Sequence, residues 1–258
     1  MKITKAVFSV IILYLIVFWF GPQDLQAQGK KATVTIAAAA DLRFAMDSII
    51  HLYPNKSDVQ VIYGSSGKFF EQLTKGAPFD IYFSADMEYP KKLETMGRTG
   101  SEIYAYGIGR LVIWSKSKGI ELNSVEDLSS DNLKKIAIAN PRHAPYGMRA
   151  EESLKHYGVY EKVKPKLVFG ENISQTAQFV STGAADAGII ALSLALSPTM
   201  QKINSDFILI PENTHRPLLQ GAIITQRAKE NKEAKAFFEF VQSENAKAVL
   251  AYFGFRQL

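Results

Sequence analysis

The chain has no cysteine among its 258 residues. That excludes disulfides, thiolate metal centres, a thiol nucleophile and a lipid-bearing cysteine at an export cleavage point. Histidine is scarce: His51, His143, His156 and His215 are all there is, and no two stand at the His-x-x-x-His spacing that aims two imidazoles at one metal. Carboxylates such as Glu126-Asp127 and Glu151-Glu152 are adjacent in sequence rather than convergent, so neither a metal centre nor a cofactor is expected. A concentrated basic face is also missing. Lys+Arg exceed Asp+Glu by 30 to 25, but the lysines scatter through Lys91-Lys92, Lys134-Lys135 and the Lys229 to Lys235 stretch on expected helix flanks. Such a pattern is solvated surface, not a nucleic-acid interface.

One long apolar run is present, from Ala6 to Phe20, behind the positive start made by Lys2 and Lys5. Gly21-Pro22 breaks it, and Leu25-Gln26-Ala27 offers a small residue before a cut. Residues 1–27 are therefore expected to be a cleaved signal peptide. The alternative is a permanent anchor, for which the run falls short of the roughly 20 residues a spanning helix needs. Export without a lipidated cysteine would leave a soluble protein, best retained by a compartment with an outer wall, so a periplasmic location is expected. About 230 residues remain, enough for two lobes of ordinary size.

Through those residues strand-like and helix-like segments alternate. Thr33 to Ile36, Val59 to Tyr63, Phe79 to Phe83, Ile136 to Ala139, Leu167 to Phe169, Ala187 to Ile190 and Phe207 to Ile210 read as strands, as does a longer extended run from Ile108 to Trp114. Between them, apolar residues recur at helical spacing, as in Leu42, Ala45, Met46, Ile49 and Ile50. This alternation predicts an α/β fold of two lobes, each a mostly parallel sheet flanked by helices. The lobes are expected to be joined by two extended hinge strands, near Gly107 to Ser115 and Pro217 to Thr225. Lobe 1 would then be discontinuous, residues 28–110 plus 221–258, with 111–220 forming lobe 2. Ligands in such sheets bind at the carboxyl ends of strands, and hinged lobes close on them.

Two strand-to-helix junctions are built from small residues, Ala37-Ala38-Ala39-Ala40-Asp41 and Gly64-Ser65-Ser66-Gly67. Small side chains let an anion approach the first N–H groups of the following helix, which lack intrahelical partners at the positive end of the helix dipole. Ser65 and Ser66 add hydroxyl donors. A hydrolytic serine elbow would read Gly-x-Ser-x-Gly, a register absent here, and a nucleotide loop would read Gly-Lys-Ser/Thr, whereas Gly67-Lys68 is followed by Phe69. Asp41 is the discordant residue, since a carboxylate repels an anion. It is read as a helix N-cap whose side chain turns away while its backbone N–H faces the ligand. Two further junctions are Asn140 to Gly147, where Tyr146 offers a phenol, and Gly170 to Ser174, where the N–H near Ile173 is a further donor.

Taken together, Ala37 to Leu42, Gly64 to Gly67, Gly76-Ala77-Pro78-Phe79-Asp80, Phe83 to Asp86, Asn140-Pro141 with Ala144-Pro145-Tyr146-Gly147, and the ending Tyr252-Phe253-Gly254-Phe255 resemble the periplasmic molybdate-binding protein of the molybdate ABC transporter. The resemblance implies a type II-like periplasmic binding protein that holds molybdate or tungstate by neutral hydrogen bonds and hands it to an inner-membrane ABC permease. It implies a monomer and no catalysis, with molybdenum or tungsten present only inside the oxyanion. Carried over by position, the binding residues are Ala40, Asp41, Ser66, Tyr146 and Ile173. Many family members carry serine or threonine where this chain has Ala40-Asp41, and others place the phenol where this chain has Ala191; here Tyr146 is the replacement. Sulfate or phosphate binding, a hydrolase using Ser66 and a membrane-tethered sensor stay open as alternatives.

Overall fold

The computed structural model describes residues 34–116 and 122–258. The leader expected over residues 1–27 lies outside the described residues. Among the described residues no helix is long and apolar enough to cross a membrane.

In chain order the first half runs β1 (Val34–Ala39), α1 (Arg43–Leu52), β2 (Val59–Gly64), α2 (Ser66–Thr74), β3 (Ile81–Ser84), α3 (Glu88–Thr95), β4 (Tyr104–Gly109) and β5 (Leu111–Trp114). It continues with β6 (Ile136–Ala139), α4 (Pro145–His156), α5 (Tyr160–Val163), β7 (Leu167–Gly170), α6 (Ile173–Thr182), β8 (Ala187–Ala191), α7 (Leu192–Ala195), α8 (Pro198–Ile203), β9 (Ile208–Leu209), β10 (Leu218–Ile224), α9 (Lys232–Val241) and α10 (Glu244–Tyr252). These strands make two five-stranded sheets, ordered β2-β1-β3-β10-β4 and β7-β6-β8-β5-β9.

The expected mostly parallel character holds: in each sheet one strand runs against the other four. β1 pairs in parallel with β2 and β3, and β6 with β7 and β8, while β10 runs antiparallel between β3 and β4 in one sheet and β5 antiparallel between β8 and β9 in the other. The cause is topological: a parallel neighbour needs a crossover helix, and strands that pass directly from one sheet to the other have none. The extended run expected from Ile108 to Trp114 is accordingly two strands. It breaks at Arg110, where the chain leaves the first sheet for the second. The return falls between β9 and β10. β10 begins at Leu218, opposite Gly109, so residues 218 to 220, expected in lobe 2, belong to the first sheet.

Strand periodicity distributes the core. In β1, Val34, Ile36 and Ala38 join a cluster with Met46, Ile49, Phe237 and Leu250, whereas Ala37 faces the opposite side with Phe69, Tyr82 and Leu93. The last two helices thus cover the first sheet, and Tyr53 of the segment after α1 meets Phe237 of α9 edge-on, with ring centroids 5.1 Å apart. A third cluster fills the second lobe around Trp114, Ile138, Leu154 and Ile190, and reaches across to Ala39, Ala40 and Ala85. The lobes therefore touch through the small residues that follow β1 and β3.

Candidate functional site

Four of the turns at this junction follow carboxyl ends of parallel strands. Ala40 and Asp41 follow β1 in a tight 3-10 turn, Ser66 opens α2 after β2, Tyr146 is the second residue of α4 after β6, and Ile173 opens α6 after β7. Their sequences explain the geometry. Pro145 begins α4 where its missing N–H costs nothing, and Asn172 caps α6 by accepting the Gln175 N–H at 3.0 Å. All five residues expected from the sequence line one small recess, together with Ala39, Gly64, Ala85 and Asn172. Neither lysine nor arginine lines it. As first or second residues of helical segments, Asp41, Ser66, Tyr146 and Ile173 carry N–H groups without intrahelical acceptors.

The two serines divide their work. Ser66 Oγ accepts the Ala85 N–H at 2.9 Å, which leaves its hydrogen free to donate. Ser65, expected as a second donor, instead donates to the His143 carbonyl at 2.6 Å, and its Oγ lies 2.9 Å from His143 Nδ1. Its hydroxyl ties the lobes together, helped by the Gly67 N–H, which donates to the same carbonyl at 2.9 Å. The hydrogen bonds that reach Ser66 come from the Tyr82 hydroxyl, to its carbonyl, and from the Ala85 N–H, to its Oγ.

Asp41 departs from its expected capping role. Its side chain caps no helix; Oδ2 accepts from the Tyr146 phenol at 3.0 Å and from Gln220 Nε2 at 2.8 Å. Gln220 also donates to the Tyr146 oxygen at 3.1 Å, and its own Oε1 accepts from Tyr106 at 2.6 Å. Burial without a cationic partner pushes the Asp41 carboxyl up to about 6, against the lowering pull of Gln220 and Tyr146. Burial, and then the charge of Asp41, drive the Tyr146 phenol well above its ordinary value. Gly109 at the interlobe crossing makes room for this network. A Cβ there would lie 2.2 Å from Tyr146 Oη and 2.4 Å from Gln220 Nε2.

Two further hydroxyls that the sequence reading missed anchor the first turn from the other lobe. Ser174 Oγ donates to the Ala40 carbonyl at 2.8 Å, and Ser193 Oγ to the Asp41 carbonyl at 2.7 Å. Both carbonyls of the turn are thereby held, and the backbone N–H groups of Asp41 and Leu42 favour the charged form of the Asp41 carboxyl. Gln220 was also missed, although it is the one polar side chain in the otherwise apolar Leu218–Ile224 strand, and that interruption is a signal. Among the described residues no three His, Asp or Glu side chains gather to hold a metal ion.

Two α/β lobes linked by paired crossings, with a cleft of helix starts between them, define a protein that encloses a small solute. The chain belongs to the family of bacterial extracellular solute-binding proteins, whose pattern it matches over residues 34–256. The molybdate-binding protein ModA of Rhodobacter capsulatus is 34% identical over 226 residues, covering 86% of this chain and 87% of that one. ModA of Azotobacter vinelandii is 34% identical over 235 residues, covering 90% and 92%. The solved structure of the Azotobacter vinelandii periplasmic molybdate-binding protein superposes with a TM-score of 0.81 at 28% identity, over 87% of this chain and 99% of its own.

Proposed function

We propose that this chain is the periplasmic solute-binding component of an ABC importer, carrying one molybdate or tungstate dianion per monomer to an inner-membrane permease after removal of residues 1–27. The observation that carries this reading is the recess itself: donors from four strand-to-helix turns converge on it, and no cation lines it. In the proposed complex the backbone N–H groups at Ala40, Asp41 and Ile173, the hydroxyl and N–H of Ser66, and the phenol of Tyr146 surround the oxyanion. Hydrogen bonds with one charged partner are roughly twice as strong as neutral ones, so several together hold a dianion without a facing lysine. Closure of two lobes fixes the cavity size, which favours the long metal–oxygen bonds of molybdate and tungstate and leaves sulfate under-coordinated.

The relatives named for molybdate support this choice of anion. A protonated tetrahedral anion such as hydrogen phosphate is the competing reading, favoured by the buried Asp41 carboxylate, which can accept its hydrogen. Titration calorimetry with molybdate, tungstate, sulfate and phosphate decides: the two metal oxyanions are expected to bind far more tightly. Equal affinity for sulfate removes the selectivity, and preference for phosphate replaces the ligand.

A further inference from the structure

The Asp41 side chain is 1% exposed, yet it has no counter-ion. Each group packed against it is neutral or spoken for. From α4 comes the Tyr146 phenol, from β10 Gln220, and from β4 Tyr106 through Gln220. From α6 and α7, Ser174 and Ser193 bind backbone carbonyls rather than the carboxylate. On α1, Arg43 lies over the Tyr63 ring, 5.3 Å from its centroid. Lys68 pairs with Glu171, and His143 contacts both Ser65 and Glu171. Within the carboxyl group the two oxygens are unequal: Oδ2 accepts two hydrogen bonds, whereas Oδ1 is buried with no partner.

A fully ionised oxyanion entering this recess meets a like charge on a buried carboxyl, and two such charges side by side disfavour each other. Molybdate is a dianion at neutral and mildly alkaline pH and brings no proton. We propose that Asp41 takes up one proton from solvent as the oxyanion binds, at the unpartnered Oδ1, so that the lobes close around the dianion with a neutral carboxylic acid beside it. The bookkeeping is one proton from buffer to Asp41 and no other bond made or broken. Tyr146 is then released to turn its single hydrogen from the carboxylate to the anion, while Gln220 continues to donate to Oδ2 and to the phenol oxygen. Burial already raises the carboxyl of the ligand-free protein to about 6, so uptake is expected to be nearly complete at pH 8 and small at pH 5, where the proton is already on.

The inference rests on the oxyanion reading above, and the same titration separates the two. Molybdate is titrated into the protein at pH 8 in buffers of different ionisation enthalpy, and the slope of apparent enthalpy against buffer enthalpy counts protons. About one proton per bound molybdate is expected for the wild type, none for Asp41→Asn, whose amide stays neutral, and about one for His143→Asn, since His143 is another nearby titratable group, its imidazole pulled below the ordinary value by burial. Molybdate binding with no proton uptake, or uptake that survives in Asp41→Asn, overturns the assignment and leaves the ligand reading standing. Failure of the wild type to bind molybdate at all overturns the ligand reading itself. Should Asp41→Asn not fold, infrared difference spectra of the wild type give the answer. A protonated carboxyl C=O stretch appearing on molybdate addition at pH 8 supports the proposal, and its absence overturns it.

Discussion

In the proposed complex Tyr146 shares one hydroxyl between two states. Its hydrogen can serve the Asp41 carboxylate or the anion, but not both, and Gln220 supports its oxygen in either case. Tyr146→Phe removes a donor that would face a charged guest, so molybdate affinity is expected to fall by about 1 to 3 kcal/mol, read by calorimetry. Unchanged affinity would place the phenol outside the ligand shell. Asp41 carries a second expectation, for the ligand-free protein. Its folded value of about 6 exceeds the ordinary 3.8, so the folded state binds more protons between those values, and stability is lost as pH rises through that window. The loss amounts to about 3 kcal/mol and levels off above it. Asp41→Asn is expected to abolish that part of the pH dependence, measured as the difference between wild-type and variant denaturation midpoints from pH 4 to pH 7. At this scale the sequence was informative where chemistry is local. Small residues and a phenol at strand-to-helix junctions can be read from spacing, but the partner of Asp41 lies 179 positions away in Gln220, and no local pattern links them.

Elements were legible where periodicity and burial agree, as in the α1 face of Ala45, Met46 and Ile49. The split at Arg110 was not, because strands of two different sheets share one hydropathy pattern and differ only in what they pair with. Nor could spacing tell that β10 starts at Leu218, since its apolar residues suit either lobe. The first turn of α2 makes a sharper statement about function. Gly67 packs beneath the facing lobe, and a Cβ there would sit 2.6 Å from the His143 carbonyl oxygen and 2.6 Å from the Tyr89 hydroxyl. The tyrosine can move; the backbone carbonyl of the other lobe cannot, short of separating the lobes. Alanine in a helix is otherwise favoured over glycine by about 1 kcal/mol. Gly67→Ala is therefore expected to keep or raise the thermal stability of the ligand-free protein while weakening molybdate binding at least about tenfold, roughly 1.4 kcal/mol. Parallel loss of stability and affinity would mean instead that Gly67 serves the lobe's own packing.

At the level of the whole molecule, two kinds of tie cross the cleft: buried hydrogen bonds made by Ser65, Gly67, Ser174, Ser193 and Tyr146, and solvent-facing ion pairs. Lys68 and Glu171 pair with side chains 45% and 43% exposed. Arg216, between β9 and β10, reaches Glu152 of α4 at 2.8 Å and Glu88 of α3 at 3.6 Å, itself 63% exposed. Pairs of this kind contribute about 0 to 1 kcal/mol each. Against them stands the cost of enclosing an ionised Asp41, which opening to water would relieve. At neutral pH the ionised, enclosed Asp41 opposes closure, and in the proposed complex the oxyanion favours it by bringing several charge-assisted bonds at once, each worth about 1.5 to 3 kcal/mol. Small-angle scattering at pH 7.5 is expected to show a radius of gyration that falls on adding molybdate, and a ligand-free protein that is itself more compact at pH 5, where Asp41 is neutral. Thermal stability should rise with molybdate by mass action, reaching about 4 kcal/mol at a thousandfold excess over the dissociation constant. A radius unchanged by ligand at both pH values would mean that the lobes are held together by their own contacts, and that the anion enters a recess already formed.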